Sequence, residues 1–217
     1  MPVRDIPKNY RNITGKASSN KTETAYFESG LERDFLSVLE FDKDVVTYDV
    51  QPVAINWFDT KGKLRKYTPD VLVKTVDFET NKKTITLYEV KYRDDIRKNW
   101  KELKAKFKVG IRFAKKQGWR FKLITEKEIK TPYTDNARFL VPYVNQTLNE
   151  AFENLILDKL SALDETSVEV LLSELSKDPW RKAEILPTIW KLVGDKRIGC
   201  DLFLPITMAS PIWDVGE

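Results

Sequence analysis

An α/β core followed by a mostly helical C-terminal part is the fold that the sequence predicts, on three observations. Residues 24–130 carry helical and β-type patterns in the order helix, three strands, helix, strand. Past Lys130 the pattern turns to helical stripes separated by proline and glycine. The chain of 217 residues is 41% hydrophobic, with 8 Gly and 10 Pro, enough apolar material for a buried core and too little breaker content for a low-complexity chain.

Residues 1–23 place Arg4, Lys8, Arg11, Lys16 and Lys21 among Asn, Ser and Thr with little apolar periodicity, which predicts a basic, extended or mobile arm. From Thr24 to Phe41 the spacing of Phe27, Leu31, Phe35, Val38 and Leu39 predicts an amphipathic helix with one buried stripe. β-Branched and aromatic residues then predict strands over Val45–Trp57, Tyr67–Val76 and Thr84–Tyr92, with turns at Lys61-Gly62 and Asn81. Ile96, Trp100, Leu103, Phe107, Ile111 and Ala114 trace a second helix, closed by Gly118, and Arg120–Thr125 is a last short strand of this core.

Pro132 and Pro142 are expected to bracket a connector. Leu148, Phe152, Leu155 and Leu163 mark a helix. Thr166 with Glu169 suggests a capping box before a second helix, and Pro179 suits the first turn of a third that stops at Gly194. With a short hairpin over Arg197–Ile206, this is the element order of a winged helix. Trp57, Trp100, Trp119, Trp180 and Trp190 lie on apolar stripes and are expected in the core, with Trp213 exposed or docked on a partner.

Composition removes whole classes of chemistry. The chain has no histidine and one cysteine, Cys200, so it has no Ser-His-Asp triad, no Cys-His dyad, no HExxH site, no intrachain disulfide and no zinc site built from Cys and His. Neither GxxxxGK[ST] nor GxGxxG occurs, which argues against ATP and dinucleotide enzymes. No apolar run approaches the roughly 18–20 residues of a membrane span, and the polar N-terminus has no secretory pattern, so a cytoplasmic protein is expected.

Charge is unevenly spread. Residues 1–90 are neutral overall, residues 91–130 are +10 and residues 131–217 are −6. The second helix bears Lys98, Lys101, Lys104, Lys108, Arg112 and Lys115 with almost no acidic partner, which predicts salt-dependent, sequence-independent contact with DNA phosphates. The acidic last segment suits protein docking better than DNA reading.

The chemistry-bearing fragments are Pro69-Asp70 and, 19 residues after Asp70, Glu89-Val90-Lys91. Alternation along a strand projects Glu89 and Lys91 to one face and Val90 to the other, and a neighbouring strand brings Asp70 to the same place. Two carboxylates and a lysine interrupting Val- and Leu-rich strands are costly to bury unless paired or metal-bound. Hard oxygen donors suit Mg²⁺ or Mn²⁺, and metal-assisted phosphodiester hydrolysis needs no histidine. Glu32 on the first helix is the best candidate for a third acid, with Glu28 as its competitor.

This constellation resembles the PD-(D/E)xK nucleases of restriction-endonuclease-like fold. Ser29-Gly30-Leu31-Glu32, Val45-Val46 leading to Gln51-Pro52, Thr68-Pro69-Asp70, Glu89-Val90-Lys91, and Gly118-Trp119 followed by Thr125-Glu126-Lys127-Glu128-Ile129 together resemble TnsA, the endonuclease subunit of Tns-type heteromeric transposases. The resemblance spans residues 24–130, and the short chain is similar to the compact versions of CRISPR-associated transposons. It implies a mixed sheet flanked by helices over 24–130, and a winged-helix-like docking domain over 131–217.

It further implies a Mg²⁺-dependent enzyme, with Mn²⁺ as a substitute, that cuts the 5′ strand of double-stranded DNA at transposon ends. Its partners would be a TnsB-like DDE transposase and a TnsC-like AAA+ ATPase bound through the C-terminal domain. Glu32, Asp70 and Glu89 would be metal ligands together with the Val90 carbonyl, and Lys91 would position the water. A PD-(D/E)xK nuclease of another pathway, such as a resolvase or a restriction or repair enzyme, and a non-catalytic DNA-binding adaptor are the alternatives.

Overall fold

The computed structural model describes residues 15–17, 19–23 and 25–216. The chain divides into two compact units, Met1–Lys130 and Thr131–Glu217.

In the first unit, β1 (Gly15–Ala17) pairs antiparallel with β2 (Ala25–Phe27). Of the expected extended or mobile arm, the described part is extended and held in place, and the reason is local. Ser19 Oγ and Asn20 N donate to the Glu40 carboxylate, and the Lys21 ammonium donates to the carbonyls of Leu39 and Asp42, so polar bonds tie the segment to the first helix. Arg4, Lys8 and Arg11 lie outside the described residues.

α1 (Gly30–Phe41) starts at Ser29, whose side chain accepts from the Glu32 N–H and so satisfies one of the orphan donors of the first turn. Its buried stripe is Leu31, Phe35, Leu36 and Leu39. The next strands are β3 (Val45–Val50), β4 (Ile55–Phe58), β5 (Leu64–Tyr67), β6 (Val71–Asp77) and β7 (Lys82–Val90). α2 (Arg93–Lys98), α3 (Trp100–Lys116), β8 (Arg120–Ile124) and α4 (Glu126–Ile129) complete the unit.

The main sheet has the order β3-β6-β7-β8, antiparallel except for the parallel β7–β8 pair. Parallel neighbours need a long crossover, and α2 with α3 supplies it. Period-two alternation gives the sheet two apolar faces. Val71, Val73 and Val90 pack with the α1 stripe, while Leu72 and Leu87 pack with Ala114 of α3. This is a mixed sheet flanked by helices.

Two of the predicted strands are broken. Val45–Trp57 splits at Gln51, which takes a left-handed φ of 49°, and Tyr67–Val76 splits at Thr68-Pro69-Asp70. Between the breaks the chain leaves the sheet as a separate ribbon, β4 paired with β5. The second predicted helix is likewise interrupted at Asn99, between α2 and α3.

The second unit contains α5 (Pro132–Val144), α6 (Glu150–Leu163), β9 (Glu165–Ser167), α7 (Val168–Leu175), α8 (Pro179–Gly194), β10 (Ile198–Gly199) and β11 (Pro211–Asp214). The expected connector is helical: Thr131 caps α5, Pro132 occupies its first turn, and Pro142 is accommodated near its end. Phe139 of α5 meets the buried Trp190 of α8 edge to face, with ring centroids 5.3 Å apart. Ser167 and not Thr166 caps α7, its side chain accepting from Val170 N.

The expected 197–206 hairpin does not form. β10 pairs with β11, which in turn pairs with β9. The intervening loop is satisfied by the buried Asn136, whose amide donates to the carbonyls of Leu202 and Leu204 and whose oxygen accepts from Ile206 N. Among the tryptophans, Trp190 is buried and Trp57 and Trp119 are half-buried. Trp100 and Trp180 are exposed, against expectation, because each stands at the first turn of its helix, beyond the apolar stripe.

Candidate active site

The breaks in β3 and β6 fall side by side, and the site is built there. Val50 pairs with Val71, and one step beyond that pair the Gln51 N–H donates to the Asp70 carbonyl at 2.7 Å. Asp70 N donates to the Tyr88 carbonyl at 3.1 Å, so the Asp70 backbone stays clamped to both neighbouring strands although β6 begins after it. Its carboxylate turns toward the end of β7 and accepts from Val90 N at 2.7 Å.

Glu89 stands beside it, on the α3 face of the sheet with Leu87, and is only 3% exposed. Its Oε2 accepts from the Tyr67 hydroxyl at 2.8 Å, and its Oε1 lies 3.5 Å from the Lys91 ammonium. The same ammonium is 3.9 Å from Asp70 Oδ2. Alternation along β7 thus delivers Glu89 and Lys91 together, as the sequence predicts, with Val90 sent into the α1 core.

Glu32 joins from α1. Its Oε1 accepts from Ser29 Oγ at 3.0 Å and its Oε2 from Glu28 N at 2.8 Å, so it closes the helix start, yet each oxygen retains a second lone pair. Glu28 accepts from Gln51 Nε2 at 3.0 Å. Glu32 interacts electrostatically with both Asp70 and Lys91.

The electrostatics follow from three carboxylates gathered in a half-dry corner. Burial, then the Asp70 charge, pushes the Glu32 carboxyl up, against the hydrogen bonds from Glu28 N and Ser29. Glu89 is pushed up more strongly by burial and by Asp70, against the pull of Lys91 and Tyr67. Burial draws the Lys91 ammonium down, but Asp70, Glu89 and Glu32 outweigh it and the net shift is upward. The three carboxylates thus favour the charged form of Lys91.

Among the described residues no three acidic or thiol side chains converge tightly enough to encage an ion unaided. The donor set nevertheless fits a hard divalent cation. It offers carboxylate oxygens whose mutual repulsion a cation relieves, and Mg²⁺ ordinarily takes only one or two protein carboxylates and completes its octahedron with water and substrate phosphate.

Comparison with family models gives two adjoining matches: the TnsA-like endonuclease N-terminal domain over residues 42–126 and the TnsA endonuclease C-terminal domain over residues 128–202. The chain belongs to the TnsA-like endonucleases. Among curated proteins none matches it. Family membership makes it a nuclease of Tns-type transposition, a DNA-acting subunit that works with other Tns proteins. Among the described residues no helix is long and apolar enough to cross a membrane.

The six basic residues predicted to meet DNA are all exposed on this TnsA-like chain. Lys98 ends α2, and on α3 Lys101, Lys104, Lys108, Arg112 and Lys115 fall within an arc of about 80° at 100° per residue. Buried Leu103, Phe107, Gly110 and Ala114 occupy the opposite side of the helix. Lys106, off this stripe, is the α3 cation that pairs with Glu102, at 3.2 Å.

Two residues of the site carried no role in the sequence. Tyr67 resembles any strand aromatic, and its only signal is its place three residues before Asp70. Gln51 appeared as part of a motif without a function. The structure shows it buried, left-handed and hydrogen-bonded to both Asp70 and Glu28.

Proposed function

We propose that the chain is a metal-dependent DNA endonuclease that hydrolyses the 5′ strand at transposon ends, beside a TnsB-like DDE transposase that cuts the other strand. The observation that carries this reading is the convergence of Asp70, Glu89 and Lys91 at the ends of adjacent strands, with the ammonium 3.9 Å and 3.5 Å from the two acids. Glu32, Asp70 and Glu89, with the Val90 carbonyl, would hold Mg²⁺ or Mn²⁺. When bound, such an ion would supply Lewis-acid charge at the scissile phosphodiester and would polarise a water for attack.

The chain's own residues do the rest. Tyr67 holds Glu89 by one oxygen and leaves the other facing the site. The Val90 N–H fixes the Asp70 carboxylate. Lys91, kept protonated, orients water and offsets the charge of the phosphate that enters among three carboxylates. Lys98, Lys101, Lys104, Lys108, Arg112 and Lys115 hold the duplex by its phosphates. Residues 131–217, with α6, α7, α8 and a small sheet, are winged-helix-like, and their net charge of −6 supports docking to a TnsC-like AAA+ ATPase over DNA reading.

The test is calorimetric titration of Mn²⁺ into the wild type and Asp70→Ala, followed by cleavage of strand-labelled transposon ends with the transposase partner present. The expected outcome is Mn²⁺ uptake and 5′-strand cleavage by the wild type, both lost in Asp70→Ala with DNA affinity unchanged. Absence of cleavage by the wild type in the full assembly would leave a DNA-binding adaptor in place of the enzyme.

A further inference from the structure

The β4–β5 ribbon has one side turned to the protein and one side turned away. Register pairs Ile55 with Tyr67 and Trp57 with Arg65. Ile55 and Tyr67 are buried against Val109 of α3, with Trp57 packed alongside. Alternation sends the other two pairs, Asn56 with Lys66 and Phe58 with Leu64, to the opposite face, where all four side chains are exposed. Phe58 and Leu64, directly across from each other beside the turn, are 71% and 59% exposed.

The turn is held in shape by its own residues. Asp59 N donates to the Lys63 carbonyl, Asp59 Oδ1 accepts from Lys61 N and Lys63 N, Asp59 Oδ2 accepts from Arg65 Nε at 2.9 Å, and Gly62 supplies the left-handed φ of 71°. Arg65 neutralises Asp59 in doing so. Lys61, Lys63 and Lys66 remain exposed, without an ion-pair partner among the described residues. An apolar pair is thus presented on a rigid tip ringed by cations.

A protein groove with acidic rims and a duplex groove could each match such a tip, and its position decides between them. Six residues separate Leu64 from Asp70, a reach of at most about 20 Å, which is the axial length of about six base pairs. A duplex with a phosphate at Asp70 therefore passes within about six base pairs of this ribbon. Of the features of this tip, the exposed apolar pair is the one that points to the minor groove, where inserted apolar side chains meet sugars and base edges between walls of phosphate.

We propose that the β4–β5 ribbon is a minor-groove contact, seating Phe58 and Leu64 in the groove within about six base pairs of the cleaved phosphate, with Lys61, Lys63 and Lys66 on the flanking phosphates. The assignment rests on Asp70 and Glu89 being the site of DNA cleavage. Its chemistry is independent of base sequence, so it positions the duplex and does not select it.

The full chain is tested by fluorescence anisotropy on a duplex of about three helical turns across a salt series. Lys61→Ala/Lys63→Ala/Lys66→Ala should reduce the slope of log affinity against log salt by about 2 to 3, at about 0.9 per phosphate contact. Phe58→Ala/Leu64→Ala should weaken binding several-fold with the slope unchanged, and netropsin, which fills the minor groove, should compete with the wild type and not with this variant. The lysine variant changes only exposed side chains, so it keeps the test valid if the apolar variant melts early.

Wild-type affinity and slope in both variants overturn the proposal, as does a wild type that binds no duplex at low salt. Intact DNA binding with a lost transposase contact assigns the ribbon to a protein and overturns it too. Mn²⁺ uptake measured on the same samples separates the two ideas. Uptake retained with DNA binding unchanged sinks the ribbon alone, whereas no uptake and no cleavage by the wild type sinks the nuclease reading.

Discussion

Glu89 is a carboxylate with almost no solvent, and its one hydroxyl donor comes from a strand outside the main sheet. Tyr67→Phe keeps the ring that packs on Val109 and removes that donor. A hydrogen bond to a charged group is worth about 1.5–3 kcal/mol, so Mn²⁺ affinity or cleavage should fall roughly 10- to 100-fold, with DNA affinity unchanged. Calorimetry and single-turnover cleavage check this, and cleavage at the wild-type rate would show that Glu89 needs no such support. Asp70, Glu89 and Lys91 were legible in the sequence because charged residues in β-rich strands are conspicuous and alternation sets which of them share a face. Tyr67 and Gln51 were not, because their partners Glu89 and Glu28 lie 22 and 23 residues away and no local pattern joins them.

At the level of elements, α3 both carries the basic stripe and backs the site. Gly110 lets it approach: a Cβ there would lie 2.6 Å from a Phe121 ring atom and 2.9 Å from Tyr67 Cε1. Gly110→Ala offers up to about 1 kcal/mol of helix propensity but forces a clash costing about 1–3 kcal/mol. The expected result is a lower melting temperature together with reduced cleavage, since Tyr67 is one of the displaced rings. A melting temperature at or above the wild type, with full cleavage, would show that the rings move aside freely. The order of helices and strands in residues 24–130 was legible from periodicity, but the interruptions were not. Gln51 adopts a conformation that glycine usually marks, and Asn99 and Thr68-Pro69-Asp70 break patterns whose apolar spacing runs straight through them. In the second unit Pro142 read as a breaker although α5 contains it, and the 197–206 hairpin was invisible as a loop because Asn136, more than 60 residues away, supplies its hydrogen bonds.

Across the whole molecule, charge is partitioned by segment, +10 in residues 91–130 against −6 in residues 131–217. If α3 is the main phosphate contact, Lys101→Ala/Lys104→Ala/Lys108→Ala should lower the salt slope of DNA binding by about 2 to 3. Removing three cations from the acidic segment, Lys159, Lys177 and Arg181, should leave the slope unchanged. Equal losses in the two triple variants, read by anisotropy, would place the acidic segment on DNA as well. This division was the most legible feature of the sequence, because charge can be counted without knowing where any strand ends.

The Gln51–Asp70 hydrogen bond has a consequence for how such a chain can diversify. The ribbon departs from the main sheet and rejoins it at two residues already bonded to each other, so it hangs from the scaffold by a closed neck. Residues added or removed at its tip, between Lys61 and Lys63, alter its reach while the strands behind the neck keep their alignment. It is built like the head of a tool, whose length and tip chemistry can change without disturbing the sheet to which it is attached.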